Sequence, residues 1–188
     1  NHYKGIRSHI RELDSILVSL PVEGKPLSPS PLDPSQPVAA LLVSGYGGLG
    51  IHSILSIQRL FPGYYRNVLF ISTGVIDSGH FKGREEVEAL KAQTEASLKR
   101  YVAFAQSLGL NAEFRYTLGT EVTEEAENLC SQIAKEYPRV VFFLGKLIFA
   151  KEKFFYRFLH NDTAYAIQRR LQFSGLQAVI LPIRIMQR

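Results

Sequence analysis

At 188 residues, 46% hydrophobic and 21% charged, the chain can bury a core of its own and is too mixed in composition for a disordered or fibrous segment. One cysteine, Cys130, excludes an intramolecular disulfide, and no apolar run nears the roughly 18 residues that would span a bilayer. The net charge of +5 is regional: residues 146–188 carry eight basic and two acidic side chains, which suits either a solvated face or an anionic partner.

The chain opens on Asn1 rather than methionine, so it is expected to be a piece of something longer. Residues 1–20 place Ile6, Ile10, Leu13, Leu17 and Leu20 at steps of three or four, predicting a short amphipathic helix. Residues 21–37 hold six of the nine prolines and read as an extended, semi-rigid linker. The globular body, 38–188, is expected to start at Val38.

From there apolar runs alternate with amphipathic segments. "VAALLV" (38–43) is a buried strand, and residues 48–61 form a helix carrying Ile51, Ile54, Leu55 and Phe61, stopped at Pro62-Gly63. "NVLFIST" (67–73) is a second strand. Residues 84–108 form a long helix with Val87, Leu90, Thr94, Leu98, Tyr101, Val102, Ala105 and Leu108 on its apolar stripe. "AEFRYTL" (112–118) alternates as a strand nearer an edge does. Residues 121–136 form a third helix with Thr120 as N-cap and Cys130 on its buried stripe, a small apolar residue rather than a nucleophile. "VVFFLG" (140–145), a helix over 161–174 capped by Asn161 or Asp162, and "AVILPI" (178–183) complete the series. Pro182 places the last strand at a sheet edge.

Five alternations of strand and helix imply a parallel, doubly wound α/β sheet of Rossmann-like type. The strand orders 3-2-1-4-5 and 2-1-3-4-5 both fit.

"LLVSGYGGLG" (41–50) raises the question of a bound cofactor. Gly45, Gly47 and Gly50 match the dinucleotide spacing G-x-G-x-x-G between a strand and a helix. The partner acid is missing: the second strand ends in Ser72-Thr73, and the nearest acid, Asp77, stands 27 residues past Gly50. The glycines are therefore expected to serve a tight turn and close helix–sheet packing, with no cofactor. In the 3-2-1-4-5 order the chain reverses between strands one and four, where ligands of open α/β sheets bind. Candidate lining residues of that crevice are Gly45, Gly47, Gly48, Gly50, His52, Gly145 and Lys146.

The run "SGYGGLGIHSILSIQRLFPGYYRNVLFISTGVIDSGHFKG", with "FFLGKLIF" and "LHNDTAYAIQRRLQFSGLQAVILPIRI", resembles the cytosolic C-terminal domain of bacterial amino-acid permeases of the amino acid–polyamine–organocation transporter superfamily. The resemblance implies a universal-stress-protein-like fold with order 3-2-1-4-5. It also implies a transmembrane transporter domain ahead of Asn1 and a place on the cytoplasmic face of the bacterial inner membrane. Residues 1–20 would then be juxtamembrane, with Lys4, Arg7 and Arg11 following the last membrane helix. ATP-binding universal stress proteins carry a pattern resembling G-x2-G-x9-G-[ST] after the fourth strand. Here Lys146, Leu147 and Ile148 follow Gly145, and "HNDT" (160–163) replaces the closing Gly-Ser.

The first expectation is a non-catalytic regulatory or assembly domain of a transporter, with its own transmembrane domain as partner and self-association through the edge strand 178–185. A nucleotide or small-anion sensor using the crevice is the second, and a dinucleotide enzyme the third. "FAKEKFFYRFLH" (149–160) mixes aromatics with Lys151, Lys153 and Arg157, as an anionic lipid surface or a packed lid would require. No nucleic-acid partner is expected. Asp77 and His80 lack a third metal ligand, so a turn is expected there and no metal site.

Overall fold

The computed structural model describes residues 31–76, 83–149 and 162–185, with the backbone alone described at 147–149, 162, 184 and 185. The expected helix over 1–20, the linker up to residue 30, the Asp77–His80 turn, and residues 150–160 of the aromatic and basic stretch lie outside the described residues.

Strands β1 (Val38–Leu42), β2 (Asn67–Val75), β3 (Asn111–Gly119), β4 (Val140–Phe149) and β5 (Ala178–Ile185) alternate with helices α1 (Gly48–Leu60), α2 (Arg84–Ser107), α3 (Val122–Glu136) and α4 (Asp162–Phe173). All five strands pair in parallel in the order β3-β2-β1-β4-β5. Between the two orders compatible with the alternation, the structure takes the one with β1 beside β4. β1 is central, so Val38 to Leu41 are buried whichever face they point to, which accounts for their unbroken apolar run.

The sheet separates two cores. Ala39, Leu41, Val68, Phe70 and Phe143 pack under α1 and α2, against Ile51, Ile54, Leu98 and Tyr101. Val38, Ala40, Leu69, Phe142 and Leu144 face α3 and α4, against Ala126, Cys130, Ile133, Ile167 and Leu171. Burial pushes the Cys130 thiol up to about 12, in keeping with a packing role.

Helix α3 and strand β4 depart in detail from the sequence reading. Thr120 does not cap α3; Glu121 takes the N-cap position with no side-chain cap bond, and Glu124 and Glu125 in the first turn complement the helix dipole. β4 runs beyond Gly145 to Phe149, because its ladder with β5 carries the extended backbone past the glycine.

Packing starts ahead of β1. Leu32 is buried against the α3 face, and its amide donates to Glu113 Oε1 at 3.2 Å. Asn67 Nδ2 donates to Asp33 O at 3.3 Å, and Arg139 Nη1 to Ser35 O at 3.1 Å. Residues 31–37 thus form a strap across the amino ends of the strands, locally turned by Asp33, whose carboxylate accepts from the amide and hydroxyl of Ser35. Among the described residues no helix is long and apolar enough to cross a membrane.

Candidate functional site

At the carboxyl ends of β1 and β4 the strand order reverses, and the helices that follow leave on opposite faces of the sheet. A crevice of about 470 Å³ opens there. Its floor is Leu42, Val43, Ile71, Thr73 and Leu144; Ser44 to Gly50 form one wall, and Thr163, Ala164 and Ile167 of α4 another. The volume falls in the range of small-molecule sites.

The glycine loop is shaped by a residue from α2. Tyr101 sends its ring under the loop, stacked on Phe70 with centroids 5.2 Å apart. Its hydroxyl accepts from the Gly47 amide at 3.0 Å and has one proton to share between Gly45 O at 3.0 Å and Gly47 O at 3.3 Å. A Cβ on Gly50 would overlap the phenol ring, so that glycine exists to admit Tyr101. Tyr46 folds back over the same ring, centroids 4.8 Å apart, with the Arg100 guanidinium over the Tyr46 ring, 3.8 Å from its centroid. Burial pushes the Tyr46 phenol above its usual value, and the Arg100 charge opposes this.

Gly145 plays the matching role on β4. A Cβ there would strike Ser53 Oγ, which donates to Leu49 O at 2.7 Å, so Gly145 lets α1 settle onto the strand. Gly47 is the N-cap of α1 in extended conformation with no side-chain cap. Gly45 differs from the others: a Cβ there meets nothing within 4 Å.

Five of the seven expected residues, Gly45, Gly47, Gly48, Gly50 and Gly145, line the crevice together. His52 and Lys146 do not. From α1 the crevice takes Gly48, Leu49, Gly50 and Ser53, and His52 is turned about 100° from Ser53 around the helix. His52 is half-buried with Nε2 unpartnered, and burial lowers its pKa. Strand alternation separates Lys146 from its neighbour: Gly145 faces α1, whereas Lys146 faces the α4 side. There Nζ meets Tyr165 Oη at 2.8 Å, in a second depression of about 490 Å³ beside Val179 and Pro182.

Sequence reasoning missed Tyr101 as a site residue, since a tyrosine on an apolar stripe reads as core. The available signal was a phenol on a buried stripe together with a glycine inside the first turn of another helix. Thr73 and Val122 were also missed; they enter because β2 runs past Thr73 to Val75 and α3 starts beside it. Among the described residues, the crevice lining contains no carboxylate, histidine, lysine or arginine, and nowhere do three metal-ligating side chains come together.

No family model and no curated protein matches the chain. Among solved structures it is similar to a protein of the universal stress protein family from Burkholderia pseudomallei. The two are 12% identical with a TM-score of 0.52, over 78% of this chain and 96% of that one. The fold is therefore universal-stress-protein-like: α/β, five parallel strands, order 3-2-1-4-5.

Proposed function

We propose that the chain is a non-catalytic regulatory domain of a membrane amino-acid transporter, and that occupancy of the crevice by a small molecule is what it reports. The transporter half of this reading rests on the sequence resemblance, which would place the domain on the cytoplasmic face of the bacterial inner membrane with transport residing in the membrane part. The observation that carries the regulatory half is the chemistry of the crevice wall. It offers glycine backbone, the hydroxyls of Ser44, Thr73 and Thr163, aliphatic side chains and the ring of Tyr46. Such a wall can hold and orient a ligand. A wall with no carboxylate, histidine, lysine or arginine among its described residues supports binding over proton transfer or nucleophilic attack.

A nucleotide remains the second reading, favoured by the crevice lying at the amino end of α1, where backbone amides and the helix dipole suit one anionic group. A triphosphate would meet no cationic side chain among the described lining residues.

Thermal unfolding of the chain with amino acids, nucleosides, ATP, cyclic dinucleotides and NAD tests both. A ligand at a hundred times its Kd stabilises by about 2.7 kcal/mol. The expected result is a shift with one ligand class that is lost in Gly45→Val, which fills open space at the mouth without disturbing the packing beneath. Transport by the full-length protein should then respond to that ligand. No shift with any class would reject the sensing role, and turnover of any bound molecule would reject the non-catalytic one.

A further inference from the structure

The two edges of the sheet differ in how their outward backbone groups are treated. On β5 the Phe142 amide donates to Gln177 O at 2.9 Å, which sets the phase: residues 177, 179, 181 and 183 face β4, and Ala178, Ile180 and Pro182 face outward. That edge is blunted. Gln168 Nε2 reaches over from α4 and donates to Ala178 O at 3.2 Å, and Pro182 has no amide to offer. On β3 the Asn111 amide donates to Arg66 O at 2.9 Å, and Gly119 O accepts from Ile76 at 2.8 Å. The odd residues therefore face β2, and Ala112, Phe114, Tyr116 and Leu118 point their amides and carbonyls away from the sheet. No proline interrupts them. Among the described residues, the partner found on this row is Arg115 Nη1, 3.2 Å from Phe114 O.

The sequence of this open edge is complementary to itself. About Phe114, Glu113 and Arg115 sit one residue to either side with opposite charge, both partly exposed and on the same face. We propose that β3 is the self-association surface of this protein: two copies join their β3 strands antiparallel about a two-fold axis at Phe114, continuing the sheet from one protomer into the next. In that register Phe114 pairs with Phe114 across the accessible part of the edge, exchanging two backbone hydrogen bonds, and Tyr116 comes opposite Ala112, which is 3% exposed and must be uncovered before that pair forms. Glu113 stands opposite Arg115, and Arg115 opposite Glu113. Every other two-fold register within the strand loses this: one centred on Arg115 sets two guanidinium groups face to face, and one centred on Tyr116 sets Arg115 against Thr117. The occupant is a second copy because the charge pattern is palindromic, as a two-fold contact demands. The surface lies away from the crevice, so it stands or falls independently of the ligand reading.

Sedimentation equilibrium and amide exchange on the whole chain test it. The mass is expected to rise to that of a dimer with concentration, and the amides of Phe114 and Tyr116 to slow in step while that of Ile180 does not. Glu113→Arg and Arg115→Glu each create two like-charge contacts and should weaken the dimer by about tenfold or more; the double reversal restores opposite charges and should recover it. Circular dichroism shows which variants fold, and exchange on the unaltered chain needs no variant. A monomer at every concentration, protection falling on Ile180, or a dimer indifferent to both single reversals would overturn the proposal.

Discussion

At the amino ends of β1, β2 and β3 the chain closes on itself through polar side chains. Asn111 Nδ2 donates to Asn67 Oδ1, Asn67 in turn holds Asp33 O, and Glu113 takes both Arg115 and the Leu32 amide. At the carboxyl ends of β1 and β4 the chain parts around a crevice, and one phenol ties the loop that borders it. The amino end spreads its ties over several side chains and a buried leucine. The carboxyl end concentrates them in Tyr101. The polar network that holds the domain shut and the crevice proposed for a ligand thus lie at opposite ends of one sheet, which leaves the crevice rim free of that network.

Leu32→Ala tests the first end. Leu32 is 4% exposed, so its truncation should cost about 3 kcal/mol, read as a lowered denaturant midpoint. The crevice should keep its ligand affinity, because Leu32 is not itself a lining residue and inserts at the opposite end of the core it shares with Leu144 and Ile167. An equal loss of binding would show that the two ends are coupled. Gly50→Ala tests the second end. Alanine in a helix ordinarily gains about 1 kcal/mol over glycine. Here the added methyl must displace the Tyr101 ring, an overpacking cost of about 3 kcal/mol, so the net change should be a loss of about 2 kcal/mol. A stabilised variant would mean that Tyr101 moves aside at little cost.

Tyr101→Phe separates the hydroxyl from the ring. The stack on Phe70 survives while the Gly47 amide and Gly45 carbonyl lose their partner, a cost of about 1 kcal/mol with faster exchange confined to the loop. The acid response of His52 should be smaller. Burial depresses its pKa below the ordinary 6.5, so the folded state favours the neutral ring. That contribution is complete above 6.5 and declines as pH falls below it toward the lowered folded value. His52→Gln should remove this part of the acid sensitivity, measured as unfolding midpoints across the range, and leave the amino end unaffected.

Most of the sheet was legible because apolar runs bounded by glycine and proline mark strands buried on both faces. The order was not legible from alternation, which permits two; the family resemblance singled out 3-2-1-4-5, and the ladder of β1 with β4 agrees with it. Lys146 could have been placed correctly, because alternation along β4 already sets it on the other face from Gly145. The strap could not: nothing marks Leu32 among six prolines as a residue that inserts into the core. Tyr101 is the deepest miss, since its hydroxyl acts on a loop 54 residues away. Its ring explains Gly50, and with it a third of the G-x-G-x-x-G pattern, without a cofactor.

Gly45→Ala gives the smallest expected effect and the one with the opposite sign. Gly45 does not have a positive φ, and a methyl group there meets nothing within 4 Å. Alanine then narrows the unfolded ensemble at no cost to the folded one, for a gain of about 0.5 kcal/mol. The contrast with Gly50 is the point of the measurement. Both belong to one glycine motif, yet one is held by packing and the other only borders open space. If both substitutions destabilise alike, the loop is a single strained unit and the role given to Tyr101 is too large. If Gly45→Ala stabilises the fold while weakening a crevice ligand, this glycine is kept for what enters the crevice rather than for the fold.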